Sequence, residues 1–353
     1  MPARPMSNVI ADRLRQAARR LGTADPLGDV KPLLERTFAL PEGDSRYGAN
    51  ALTPGAAPFE PSFSELQPNV LRFTVEPLPP DASGKDRRDE ATREMRRLIL
   101  PAFGREAVRW FDRASEEWRG SGSGSNLHYG AFFGTSYDRD GLYASKVFYE
   151  TSPRQIEALP HSLFGLVSVV LSSLPTLVPL FTTIACQREV GHQRVTFLHQ
   201  GPLRLGDLEP LLGRLGLGHQ LPGIMQIFGV ALGGRFDLPD QSVLLAFGNS
   251  PEGPECEIYL LLGMVPDVPP NFLDLLTLGL SERPRELQAL GRWLQAFTPE
   301  TTDWPGNFSV MSVRTTPASP PRVSLYLRPV EFEVRDRSLA PQPQPGSEVP
   351  SAA

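Results

Sequence analysis

LHYGAFFGTSYDRDGLYASKVFYE, residues 127–150, is the stretch on which the fold turns. Leu127 to Tyr137 and Leu142 to Glu150 are runs rich in aromatic and β-branched residues, and Asp138-Arg139-Asp140-Gly141 between them carries turn chemistry. Two strands joined by so short a loop must pair antiparallel, because a parallel neighbour needs a crossover of about a dozen residues.

The same arrangement recurs along the chain. Phe181 to Arg188 turns at Val190-Gly191 into Gln193 to His199, Ser242 to Gly248 turns into Glu255 to Leu261, and Phe308 to Arg314 turns through TTPASPP into Arg322 to Arg328. A further strand, Asn69 to Val75, follows an extended segment containing PFEPSFSE. Helical patterns fill the intervals: Asp86 to Trp118, Ser152 to Leu174, Leu205 to Leu217, and Pro270 to Phe297 broken at Pro284. Helices alternating with hairpins predict an α+β chain, with an antiparallel sheet and its helices outside. Arg72, Lys146, Arg194, Glu257 and Arg322 each stand two positions from an aromatic or small residue on a different strand. About ten strands closed on themselves leave no exposed edge, and alternate residues then face a lumen.

Composition narrows the function classes. The chain has 353 residues, 40% of them hydrophobic, and 35 basic against 40 acidic residues give a net charge of −5. An acidic balance argues against nucleic acid as a partner, so any anion site must be local. Cys186 and Cys256 are too few for a disulfide framework or a zinc site, and they read as buried thiols of a cytoplasmic protein. The uncharged run Leu163 to Cys186 is long enough to span a bilayer, but Pro175 and Pro179 break it into a buried helix and a strand. A single domain over residues 1–334 is expected, with a helical lead-in over 1–50. Gly120 to Asn126 (GSGSGSN) reads as a flexible link, and the Pro- and Ser-rich tail 335–353 as disordered. GVALGGR, residues 229–235, lacks a phosphate-loop Lys-Ser/Thr pair and reads as a strand bend. His192 and His199 read as turn and strand-end residues. The acidic clusters Asp86-Arg87-Arg88-Asp89-Glu90 and Asp138-Arg139-Asp140 read as a helix start and a turn, not a magnesium cage.

PFEPSFSELQPNVLRFTVEPL and SKVFYE, followed by QRVTFLH, CEIYLLL and RVSLYLRP, resemble the strands of aromatic prenyltransferases of the dimethylallyl-tryptophan synthase type. The likeness extends over roughly residues 59–329. It implies the prenyltransferase barrel, often called the ABBA fold: a ten-stranded antiparallel β-barrel of five ααββ-type repeats, surrounded by helices. It also implies transfer of a dimethylallyl or longer prenyl group from its diphosphate to an indole or tryptophan-type acceptor. No metal or other cofactor is implied, and the partners would be small molecules, with no nucleic acid or membrane, for a monomer or homodimer of secondary (alkaloid) metabolism.

On this resemblance Glu60 would accept the indole N–H, with Glu65 and Glu76 as rivals; Glu76, before Pro77, reads as a surface residue. Arg72, Lys146 and Arg194, joined by Tyr259 and Tyr326, would hold the diphosphate, and Arg188 and Arg314 are weaker additional candidates. Phe148, Thr196, Glu257 and Ser324 would shield the cation and line the acceptor pocket. Four places depart from the family's pattern: Pro61 after Glu60, Phe148-Tyr149 where the order is usually Tyr-Phe, Thr196-Phe197 where a tyrosine is usual, and Glu257 where lysine or glutamine is. Two alternatives stay open, a barrel of the same kind acting on a peptide side chain or a phenol, and a non-catalytic ligand-binding barrel.

Overall fold

Five hairpins, each preceded by a helical segment, account for the architecture of the computed structural model, which describes residues 4–120, 127–188 and 191–334. Helices α1 (Met6–Leu21) and α2 (Leu27–Thr37) precede strands β1 (Phe59–Ser64) and β2 (Leu71–Val75). Helices α3 (Gly84–Ala114) and α4 (Glu116–Arg119) precede β3 (Ala131–Asp138) and β4 (Gly141–Glu150), and α5 (His161–Ser173) precedes β5 (Leu177–Gln187) and β6 (Gly191–His199). A two-residue ribbon, β7 (Leu203–Arg204) with β8 (Asp237–Leu238), brackets α6 (Glu209–Arg214) and α7 (Leu221–Ala231). Strands β9 (Val243–Ser250) and β10 (Gly253–Leu261) follow, then α8 (Phe272–Gly279), α9 (Pro284–Phe297), β11 (Gly306–Thr315) and β12 (Arg322–Pro329). The expected turn at Val190, the link 121–126 and the tail from 335 onward lie outside the described residues.

Ten strands close into one antiparallel barrel in the order β1-β12-β11-β10-β9-β6-β5-β4-β3-β2. Alternation sorts its side chains. Along β2, Leu71, Phe73 and Val75 face outward and are buried, while Arg72 and Thr74 face inward; along β12, Val323, Leu325 and Leu327 face out while Ser324 and Tyr326 face in. The apolar core therefore lies between barrel and helices rather than inside the barrel. Phe63 meets Trp293 of α9 at 6.1 Å, Phe59 meets Phe38 at 6.4 Å, and the Tyr149 hydroxyl lies 2.8 Å from that of Thr92 on α3. The lumen, relieved of that duty, is polar.

The extended segment PFEPSFSE holds strand β1, as the resemblance implies, all six residues buried since its lumen face is as covered as its outer face. Several other expectations are corrected. GVALGGR is no strand bend: residues 229–231 end helix α7, and Gly233 and Gly234, with φ of 63° and 91°, turn the chain away from it. The expected helix 205–217 is a 3-10 turn followed by the short α6, and the pattern beginning at Ser152 is a 3-10 turn before α5. Pro284 opens α9, where its missing N–H costs nothing. Leu163 to Cys186 divides into α5 and β5, and among the described residues no helix is long and apolar enough to cross a membrane. Glu76 is not at the surface: buried, it accepts the backbone N–H groups of Ala51 and Leu52 and lies 3.3 Å from Arg87.

Candidate functional site

The register places the expected site residues on one surface. Arg72 pairs with Ser136, Gly134 with Lys146, Lys146 with Ala185, Thr183 with Arg194, Arg194 with Gly248, Ala246 with Glu257, Glu257 with Arg314, and Ser312 with Ser324. Cross-strand partners share a face, so this chain of pairs runs round the lumen. A cavity of about 390 Å³ opens at the end where the hairpins turn, and Arg72, Lys146, Arg194, Glu257, Arg314 and Tyr326 line it. Ser62 and Ser324 line it as well. Glu60, Phe148, Thr196 and Tyr259 stand two residues further along their strands on the same face.

At the cavity end the charges are organised into pairs. Arg194 Nη1 donates to Glu257 Oε2 at 2.6 Å, and Ser312 donates to the other oxygen of Glu257 at 2.7 Å. Burial alone would lift the Glu257 carboxyl, but the charges of Arg194 and Arg314 hold it below its ordinary value. Glu255, on the same face of β10, takes Arg314 and lies 3.0 Å from Nε2 of His192. His192 is thus a lumen residue of β6 and not the turn residue expected. Arg72 donates to Gln67, and the Lys146 ammonium lies 4.8 Å from the centroid of Phe148. Among the described residues neither Arg72 nor Lys146 forms an ion pair.

Glu60 lies deeper. Ser309 donates to its Oε1 at 2.6 Å, and burial raises its pKa to about 7 against the opposing effects of that hydrogen bond and of Lys146. Burial, with the charges of Arg194 and Arg72, lowers Lys146 to about 7. Around these groups stand aromatic rings: Tyr259 and Tyr326 at 6.1 Å, and Phe148 edge-on to Phe181 at 5.5 Å. Glu65, the first rival of Glu60, is bound by Arg283 at 2.9 Å and by the backbone N–H of Val323, which fixes it between strand and helix. Arg322 also turns to the helical side, 3.9 Å from Glu65 and 3.8 Å from Glu286. Arg188 pairs with Asp138 at 2.7 Å.

Sequence reading missed the residues that make room for the charges. A Cβ on Gly134 would sit 2.9 Å from Cε of Lys146, and one on Gly248 would sit 2.6 Å from Cγ of Arg194. Each glycine is the cross-strand partner of the cation it accommodates. A glycine inside an otherwise good strand was the available signal. Gln67, Tyr143 and Gln187, which also line the cavity, carry no such mark.

A closed antiparallel barrel of ten strands, helices outside and a charged lumen within, is the prenyltransferase barrel, and comparison with solved structures shows this chain to have that fold. The prenyltransferase PriB, in its binary complex with product diphosphate, superposes with a TM-score of 0.70 at 15% identity, covering 96% of this chain and 100% of that one. For 5-dimethylallyltryptophan synthase from Streptomyces coelicolor the values are 0.68 and 17%, covering 94% and 100%. For AnaPT from Neosartorya fischeri they are 0.62 and 15%, covering 87% and 86%. No protein-family model matches the chain, and no curated protein sequence does.

Proposed function

We propose that the protein is an aromatic prenyltransferase that moves a dimethylallyl group from its diphosphate to an indole, either tryptophan or a tryptophan-derived metabolite. The observation that carries this reading is a lumen with unpaired Arg72 and Lys146 at its open end and a buried carboxyl, Glu60, deeper among aromatic rings. The solved prenyltransferases that share the fold support it, one holding product diphosphate and another, from Streptomyces coelicolor, holding a donor analogue and Trp.

The donor's C–O bond breaks with its electron pair going to the diphosphate, for which Arg72, Lys146, Arg194 and Tyr326 supply preorganised positive charge and hydrogen bonds. The allylic cation is sheltered from water between the faces of Tyr259, Tyr326 and Phe148. A ring carbon of the indole attacks it while ionised Glu60 accepts the indole N–H, and the ring proton then leaves to restore aromaticity. Donor and acceptor thus become prenylated indole, diphosphate and a proton. Thr196 and Ser324 would border the acceptor. Fixed cationic side chains do the work for which other isoprenoid enzymes use magnesium, so no metal is required. We also read it as a cytoplasmic enzyme of alkaloid metabolism, monomeric or dimeric, whose domain ends near residue 334.

The test is incubation with dimethylallyl diphosphate and a panel of indoles, phenols and Trp- or Tyr-containing peptides in EDTA, read by mass spectrometry. The expected result is one added prenyl unit on an indole, lost in Glu60→Gln and Lys146→Ala. A product on phenols or peptides alone would replace the acceptor, and donor binding without any product would leave a binding barrel.

A further inference from the structure

An anion site with a carboxylate built into it demands an account. Four cations line the cavity, Arg72, Lys146, Arg194 and Arg314, with the carboxylate of Glu257 among them, and Glu255 stands on the same face of β10. Glu257 is only 5% exposed, and both of its oxygens are occupied, one by Arg194 at 2.6 Å and the other by Ser312 at 2.7 Å. Arg194 is held in turn by a strand whose facing position is glycine, so its stem lies flat across Gly248 with its head on Glu257. In a lumen this enclosed, four like charges without counter-ions would repel one another and forgo most of their hydration.

We infer that Glu257 is a stand-in counter-ion: it occupies the anion's place at Arg194 while the lumen is empty, and so sets how tightly diphosphate is held. This rests on reading the lumen as an anion site. The entering diphosphate must share or displace the carboxylate, and after the reaction the carboxylate competes for Arg194 and helps to expel the product. Affinity for the leaving group is thereby surrendered in favour of an empty site that stays assembled and a product that leaves. Arg72 and Lys146, without carboxylate partners, give the first and strongest purchase on the anion, and Arg194 is released to it second. Glu255 does the same for Arg314 nearer the rim, in contact with His192, and at 3.6 Å from Nε of Arg194 it is a second, weaker counter-ion there.

The probe is inorganic pyrophosphate, with binding followed by calorimetry and by its effect on thermal unfolding. Glu257→Gln keeps the size of the side chain and its bond from Ser312 but removes the charge. The expected result is a pyrophosphate affinity raised by about tenfold or more, an empty variant that melts below wild type, and a larger upward shift on adding pyrophosphate. A purely structural role for Glu257 would lower the melting temperature without tightening binding. Equal or weaker binding in Glu257→Gln, while Arg72→Ala abolishes binding, would overturn the inference and leave the anion site standing. No pyrophosphate binding by wild type or variant would overturn both. Should Glu257→Gln not fold, Ser312→Ala loosens the carboxylate from its place and is expected to tighten binding by a smaller factor; unchanged affinity there counts against the inference.

Discussion

Glu60 and Lys146 are driven towards the same ionisation point from opposite sides, each to about 7. The proposed chemistry needs Glu60 ionised and Lys146 charged, so the first fails below that point and the second above it. The kcat/KM profile, which reports the free enzyme, should therefore be a narrow bell peaking near pH 7, its limbs belonging to the interacting pair rather than to either residue. Bound diphosphate favours charged Lys146, so the alkaline limb of kcat should lie at higher pH than that of kcat/KM; a flat profile from pH 6 to 9 would refute the assignment. Stability carries the same signature. The folded pKa of Lys146 is lowered from 10.5 to about 7, so the unfolded chain holds that proton more firmly across the window and stability falls as pH drops through it. Lys146→Met should thus melt above wild type at pH 7 and below, the gain shrinking towards pH 10.5, while donor binding is lost. At this scale the sequence was informative: Arg72, Lys146 and Arg194 announce themselves by alternation with apolar neighbours. The pairing of Glu257 with Arg194 was not legible, because the two lie 63 positions apart and only the register joins them.

Strands decide which residues reach the lumen, and one irregularity decides the state of Glu60. Counting back from Ser312 by strict alternation puts Phe308 inside and Ser309 outside. The register instead slips between Phe308 and Val310, so Phe308 lies outside against Phe272 and Trp304, and Ser309 is free to reach Glu60. A bulge of this kind resets the alternation, so that residues before it fall on the face opposite to the one a strict count gives. Ser309→Ala removes a hydrogen bond that favours the ionised carboxylate. The acid limb of the pH profile should then move up by about one unit, so that the bell shrinks and the activity relative to wild type is lowest at acid pH and approaches one as the pH rises past both limbs. A uniform loss at every pH would mean that the serine acts on packing and not on Glu60. Nothing in NFSVMS betrays the extra residue, since small and apolar side chains suit either count. Hairpins were legible because turn residues and alternation agree. β1 was legible only as an extended segment and through the family resemblance, since Pro58 and Pro61 mask the alternation of a strand that is covered on both faces. Helix α7 escaped because LPGIMQIFGVA has almost no polar residue to mark a period.

Closure is the property of the whole molecule that hairpins alone cannot guarantee. Five hairpins predict neighbours within and between units, but the first and last strands must find each other across the length of the chain. Their ladder is short, Ser62 to Ser64 against Tyr326 to Ser324. The chain after β12 lengthens the seam: Ala57 N–H donates to the Phe332 carbonyl at 2.7 Å, Ala56 bridges Glu333, and Val334 N–H reaches Gly55. Phe332 is fully buried with its ring edge-on to Phe59 at 5.3 Å, and the neighbouring Glu331 takes Arg13 of α1 at 2.7 Å. One apolar side chain thus joins the last turn, the first strand and, through its neighbour, the first helix. Phe332→Ala leaves a cavity at that junction and should cost about 3–5 kcal/mol. In denaturant unfolding the midpoint should fall with the slope unchanged, as expected for a loss of stability without a change in the surface exposed. A seam that opens before the rest would instead lower the slope and expose β1 and β12 as edges prone to association. A variant that unfolds at the wild-type midpoint would show that the short ladder closes the barrel unaided.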